Sequence, residues 1–409
     1  MLELIFRKYV ASRRLPDFWF NALIFAALVV ASIIWSTISG KDLNWDQLNY
    51  HFYLPYSLFG DRISKDFIPA NGQSYLNPLP YVPFYWMVTH NWNSLLIASV
   101  LTALHSLNAV LGYFIAEKIL PPTQQNSRLI AVLAAVLTFL SPVLLMEIGT
   151  TFADASTATL VLAAVLCGLH SDQTTLWWKN RSLIAGVLMG AAGALKLSNL
   201  VFGPACAVLL ICMQTTYVSR VRAVVLLGAG AFLGFALMQM YWGWQLWREF
   251  GNPLFPNFGV FFPTDIFPKE TAPLERFLPE NILGALLVPF RMTQLRAWVY
   301  VENVAPDLRF AALAVVGVVG GGYLFSKRHL KDVPPLSLNA RKFLALTGFF
   351  VVAFGLWQWT SGNGRYGLVV SLLCGPMLAL TAQAVCKNTS AAIYLLSGVI
   401  ALQILHLQN

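Results

Sequence analysis

Asp46 stands in the stretch WDQLNYHFY, soon after the first long apolar run, with Trp45, Tyr50, His51 and Tyr53 around it. A carboxylate there can take the proton of a hydroxyl or hold a cation. The aromatic side chains can stack on a polar, ring-shaped substrate, and a sugar is the obvious candidate. Trp and Tyr also collect at membrane interfaces, so a solvated loop Asp among interfacial aromatics explains the same residues equally well. Asp42 competes for the same role. A second acid, Asp154 in EIGTTFADAST, can join such a site or simply cap the helix that follows. Glu147, just before it, can end its apolar run in water.

Two cations invite the opposite chemistry. Lys196 lies in GALKLSN, inside an apolar stretch. An ionisable group at membrane depth marks function by default, and this ammonium can face a phosphate or snorkel to the interface. Arg365 lies in SGNGRYGL, where glycines free the backbone. Its guanidinium can grip a phosphate with two parallel hydrogen bonds or serve as an interfacial anchor. Arg291 and Arg296 are weaker phosphate candidates. His51 has no second histidine or carboxylate at ligand spacing, which favours a hydrogen-bonding role over zinc. There is no phosphate loop and no dinucleotide fingerprint, so ATP-driven transport is not encoded. No cofactor is indicated, nor is a divalent metal. The five cysteines form no CxxC pair and read as packing residues.

These residues need a scaffold, and composition identifies it. The 409 residues are 57% hydrophobic and 11% charged, with a mean hydropathy of +0.63. A soluble domain carries about 25% charged residues, so the chain belongs in a membrane. Apolar runs at 18–38, 93–117, 129–147, 155–170, 182–196, 198–214, 222–245, 309–325, 343–360, 367–385 and 391–407 predict about eleven transmembrane helices. The run 182–214 is split at Lys196-Leu-Ser-Asn199, because a mid-bilayer Lys costs about 3 kcal/mol. The first run is too long for a signal-peptide core and reads as a retained span. The expected fold is an all-α polytopic membrane protein, one domain over 1–409, with two long extracytoplasmic loops, 39–92 and 246–308, that carry short interfacial helices. The apolar piece 282–290 is too short to span and suits a helix lying flat.

With the amino terminus in the cytoplasm, Arg7, Lys8, Arg13, Lys118, Lys179, Arg181, Arg220, Arg222, Arg328, Lys331, Arg341, Lys342 and Lys387 fall inside. That satisfies the positive-inside rule and accounts for the net charge of +9 without nucleic acid. The acids go outward, among them Asp42, Asp46, Glu147, Asp154, Glu270, Glu302 and Asp307. Orientation does not require that bias, which suggests chemistry on the outer side.

The order of features resembles that of the type-C membrane glycosyltransferases, near the protein mannosyltransferases and aminoarabinose transferases. It runs from an early Asp and Tyr (Asp46, Tyr50) to a second acidic loop (Asp154), a Gly-rich helix ending in lysine (GVLMGAAGALKLSN) and a late Arg-Tyr pair (GRYGLVV). The family's usual Asp-Glu pair is Asp46-Gln47 here. The resemblance implies an inverting glycosyltransferase of the bacterial inner membrane, facing the periplasm or exterior. It would move a sugar from a polyprenyl-phosphate carrier to a hydroxyl on a glycan, lipid or protein. In that scheme Asp46 and Asp154 are catalytic, Lys196 and Arg365 hold the donor phosphate, and Trp45, Tyr50, His51 and Asp42 contact sugar or acceptor. The rival readings are a flippase for lipid-linked saccharides, an O-antigen polymerase or ligase, and a scaffold without activity. Nearly all ionisable groups lie at span ends, which favours a one-sided site over a transport path.

Overall fold

The computed structural model describes residues 14–40, 42–120, 126–170, 180–266, 275–327, 338–386 and 388–408. Arg7, Lys8, Arg13, Lys179, Glu270, Arg328, Lys331 and Lys387 lie outside the described residues. The helices are α1 (Arg14–Ser39), α2 (Tyr53–Gly60), α3 (Val82–Thr89), α4 (Ser94–Ile119), α5 (Ser127–Phe139), α6 (Pro142–Glu147), α7 (Ala153–Gly168) and α8 (Arg181–Leu195). They continue with α9 (Phe202–Met213), α10 (Tyr217–Phe250), α11 (Ile282–Arg291), α12 (Arg309–Lys327), α13 (Leu338–Thr360), α14 (Leu368–Val385) and α15 (Thr389–Leu407). Apart from them the described chain has a few short turns of helix and one four-residue strand, Pro69–Gly72.

Among the described residues six helices are long and apolar enough to cross a bilayer: α1, α4, α10, α13, α14 and α15. Burial sorts them. The spanning window of α14 is 83% buried, against 17% for α1 and 22% each for α10 and α15. So α14 is the axis of the bundle, while the other three turn most of their surface to lipid. The shorter apolar helices α5, α7, α8 and α9 pack inside the bundle and supply much of the buried core. A 13-residue helix such as α5 rises only about 20 Å, less than the roughly 30 Å of hydrocarbon. Broken backbone at that depth is tolerated where protein rather than lipid surrounds it.

Two breaks differ in how far the sequence revealed them. The run 129–147 is not one helix: α5 ends at Phe139, and Ser141 caps α6 through a hydrogen bond from the Leu144 amide. The carbonyl of Leu137, near the end of α5, accepts a hydrogen bond from Arg309 at 2.6 Å. The break at Lys196 falls where the insertion cost predicts it, between α8 and a 3-10 turn, Leu197–Val201. The Ala194 carbonyl there accepts from the Asn77 side chain, and the Ala192 carbonyl, which holds the Lys196 amide, also accepts from Asn199.

The Gly-rich helix α8 owes its composition to α10. A methyl group on Gly190 would stand 1.9 Å from the Ala231 carbonyl oxygen, and one on Gly234 would stand 2.0 Å from that of Val187. Paired small residues let the two backbones touch, and that contact fixes where the end of α8, with Lys196, projects. The described basic residues Lys118, Arg181, Arg220, Arg222, Arg341 and Lys342 sit at or near the helix ends opposite the two long loops. A short helix does form at 282–290: it is α11, whose one buried residue is Val288.

Candidate active site

The first long loop enters the site through a network that begins at Asp42. One Asp42 oxygen accepts from the Thr151 amide at 2.7 Å and from the Thr151 hydroxyl at 2.9 Å. The other accepts from Asn44, whose own carbonyl oxygen holds the Gln47 amide. Asp42 therefore ties the loop to the α6–α7 turn. Asp46 follows at the entry to a single π-helical turn, Gln47–His51. Turns of this kind often occur at functional sites.

His51 is fully buried and lines none of the cavities described below. Its Nδ1 lies 2.7 Å from the Thr151 hydroxyl, and its ring stacks on Tyr81 with centroids 4.3 Å apart. Because the Thr151 proton goes to Asp42, the hydrogen bond to His51 assigns Nδ1 as the donor. Burial pushes the His51 pKa down to about 2, assisted by the nearby Lys196 and Arg365 charges. The ring is neutral in the folded state, while an unfolded histidine titrates near 6.5. Unfolded chains thus bind the extra proton, and stability falls as pH drops below that value. We expect His51→Asn to gain about 1.4 kcal/mol on the wild type between about pH 7.5 and pH 5.5. Unfolding in detergent at both pH values measures this, and a gap independent of pH would contradict it.

The α6–α7 turn carries two of the acids. Gly149 has φ +80°, and a methyl group there would stand 2.1 Å from the Ser36 hydroxyl oxygen. Only glycine lets the turn press this closely onto α1. Asp154 lies in the first turn of α7 but does not cap it. Its carboxylate meets the Lys196 ammonium at 2.5 Å and Arg365 Nη2 at 3.3 Å. Glu147 does not end its helix in water: it is 1% exposed, with Arg365 Nε at 3.9 Å.

Arg365 reaches this point from the α13–α14 loop, which is fastened on several sides. Trp357 donates to the Asn363 carbonyl at 2.6 Å, the Gly364 amide donates to the Tyr300 carbonyl at 2.5 Å, and the Asn363 side chain donates to Glu302 at 2.7 Å. The guanidinium lies over the Phe152 ring, 3.9 Å from its centroid, and its Nη2 is 3.0 Å from Asp46. Burial opposes the Arg365 charge, but Asp154, Glu147 and Asp46 outweigh it and hold the pKa above its ordinary value. Lys196 also stands 5.3 Å from the centroid of Tyr366. Burial, with Asp154 nearby, pushes the Tyr366 hydroxyl up to about 12. Burial likewise raises Tyr50, with help from Tyr81 and Asp46. Both phenols are neutral donors at physiological pH.

Three cavities meet at this cluster. The first, about 760 Å³, is mainly apolar and is walled by Leu200, Val201, Val260, Phe261 and Trp357. It shares Leu197, Ser198, Asn257 and Tyr366 with a chamber of about 470 Å³ that contains Lys196, Tyr50, Asp46 and Arg365. A third cavity, about 620 Å³, lies beyond Asp46, Glu302 and Arg365, which line both it and the chamber. Asp42, Trp45 and Glu147 also line the third cavity. The segment GNPLFPNF, residues 251–258, supplies part of the first two walls. Asn252, fully buried, bonds the Leu254 amide and the Asn257 carbonyl and shapes this turn.

Of the residues singled out in the sequence, Asp46, Asp154, Lys196 and Arg365 thus form one ion-paired cluster, with Tyr50 and Trp45 on cavity walls. Asp42 lines the third cavity while tying the loop to the α6–α7 turn, and His51 stands behind the cluster as framework. Arg291 and Arg296 line none of these three cavities. Glu302 was visible only as one of many outward acids, and Glu147 only as an acid that could end its apolar run in water. No local signal distinguishes them, because each joins the site through contacts distant in sequence. Among the described residues no three His, Cys, Asp or Glu side chains are grouped to hold a metal.

No protein-family model matches the chain, and no curated protein matches it. Among solved structures it is similar to ArnT from Cupriavidus metallidurans bound to undecaprenyl phosphate. The match has a TM-score of 0.53 at 14% identity and covers 88% of this chain and 60% of that one. The likeness is one of fold: the chain has the fold of that ArnT structure.

Proposed function

We propose that this integral membrane protein transfers a sugar from a polyprenyl-phosphate carrier to an acceptor hydroxyl, with inversion, on the extracytoplasmic face of a bacterial inner membrane. One observation carries the proposal: an apolar cavity opens beside Tyr366 into the chamber where Lys196, Arg365 and Asp46 converge. A lipid phosphate has this shape and polarity, with a greasy tail and an anionic head. The ArnT structure, which contains undecaprenyl phosphate, supports the same class of donor. The described basic residues at the opposite helix ends support a site on the extracytoplasmic side.

The chemistry follows from charge. The acceptor oxygen bonds to the anomeric carbon as the bond from that carbon to the phosphate oxygen breaks. The acceptor proton passes to Asp46, and the electron pair leaves with the polyprenyl phosphate. Lys196 and Arg365 stabilise the charge that develops on the leaving phosphate. Asp154, 2.5 Å from Lys196 and 4% exposed, positions that ammonium rather than meeting the acceptor. In the ligand-free arrangement Arg365 is paired with Asp46. A phosphate that draws Arg365 to itself frees the carboxylate to act as a base.

Undecaprenyl phosphate binding to the purified protein tests this reading. Each charge-assisted hydrogen bond contributes about 1.5–3 kcal/mol, so Arg365→Ala and Lys196→Ala should each weaken binding by about tenfold or more. Arg365→Lys should recover part of the loss. Native mass spectrometry reads the affinity, and release of free polyprenyl phosphate from a panel of polyprenyl-phosphate sugars reads the reaction. Absence of binding, or equal binding by wild type and both alanine variants, would overturn the proposal.

A further inference from the structure

The third cavity differs in charge from the chamber beside it. Four carboxylates line it: Asp42, Asp46, Glu147 and Glu302. Arg365 is the one cation among its described lining residues, and its guanidinium is already shared by Asp46, Asp154 and Glu147. The decisive side chain is Glu147. It is 1% exposed, and neither of its oxygens has a hydrogen-bond partner. A carboxylate withdrawn from water, with only the Ala155 amide and the Arg365 guanidinium near it, is unfavourable, and a ligand that brings further donors relieves it.

We propose that this cavity binds an ammonium-bearing saccharide as the acceptor of the transfer, an inference that rests on the transferase reading above. An ammonium offers three donors and no acceptor, which matches the under-satisfied oxygens of Glu147. Asp42 is already hydrogen-bonded through both oxygens, so it contributes by its field and Glu147 by contact. Glu302, exposed and holding Asn363, adds a second flexible carboxylate on the shared wall. Trp45, also exposed, supplies an aromatic face for a sugar ring or its cation. An acceptor bearing phosphate meets the reverse: like charge on several sides and one cation already engaged. Because Asp46 lines both this cavity and the lipid-phosphate chamber, a hydroxyl held here faces the anomeric carbon held there.

The test uses the purified full-length protein saturated with undecaprenyl phosphate, with three photoreactive probes. They are octyl glucosaminide, octyl glucoside and octyl glucoside 6-phosphate, each carrying a diazirine on the sugar. The amino probe should label peptides around Asp42, Glu147 or Glu302 about tenfold more strongly than either of the others. Glu147→Gln should abolish that excess. Glu302→Gln, at an exposed position, should reduce it severalfold even if the Glu147 variant folds poorly. Competition by soluble glucosamine disaccharide would mark a glycan as the source of the ammonium. Competition by the alkylated form alone would mark an amino-sugar lipid. Equal labelling by the phosphate probe would overturn the inference, as would displacement of the amino probe by undecaprenyl phosphate. Loss of undecaprenyl phosphate binding itself would instead strike the transferase reading.

Discussion

Asp46→Asn is expected to lower transfer by about a thousandfold, within the range general-base catalysis supplies. The substitution keeps the shape of the side chain and removes its basicity and charge. Arg365 retains Asp154 at 3.3 Å and Glu147 at 3.9 Å, so the cluster does not lose its cation. Binding of undecaprenyl phosphate should persist or tighten, because Asp46 no longer competes for the guanidinium 3.0 Å away. This split separates a base from a structural acid, whose loss would weaken binding and folding together. A variant that retains a tenth of wild-type turnover, or one that loses the lipid phosphate, would remove Asp46 from the role of base.

The second large effect concerns folding. Asp307 and Arg309 are fully buried, paired through both carboxylate oxygens at 2.9 and 2.5 Å. Arg309 also donates to the Leu137 carbonyl at 2.6 Å and the Ser371 hydroxyl at 2.7 Å. One side chain therefore joins the start of α12 to the end of α5 and to α14. Arg309→Met leaves a buried carboxylate without its partner, a change that costs about 3–5 kcal/mol. Yield and thermal stability in detergent should collapse. Asp307→Leu combined with Arg309→Met should recover part of the loss, because no charge is then stranded. If the single variant were as stable as the wild type, the pair would not be holding the break between α5 and α6.

Asp307 also shows where reading acids from a sequence misleads. It belongs by position to the outward acids that suggested chemistry, yet it is spent on Arg309. Glu147 errs in the other direction: expected at a water boundary, it is buried in the cluster. Asp154 had a helix cap as its rival role; it does not cap α7, and its carboxylate meets Lys196 instead. In each case the residue type was plain and its partner was not.

What the sequence determined by itself is whatever depends on neighbours along the chain. The length and hydropathy of each apolar run set the helices, since a backbone in hydrocarbon must satisfy its own hydrogen bonds. The cost of Lys196 located the break after α8. The tertiary structure alone decided which charges meet. Asp46 and Arg365 are 319 residues apart, and their contact rests on Gly149, which lets the α6–α7 turn press onto α1, and on Asp42, Asn363 and Tyr300, which fasten one loop to another. Attraction between such groups falls off over a few ångströms, whereas the loops that bring them together are fixed by packing far from either one.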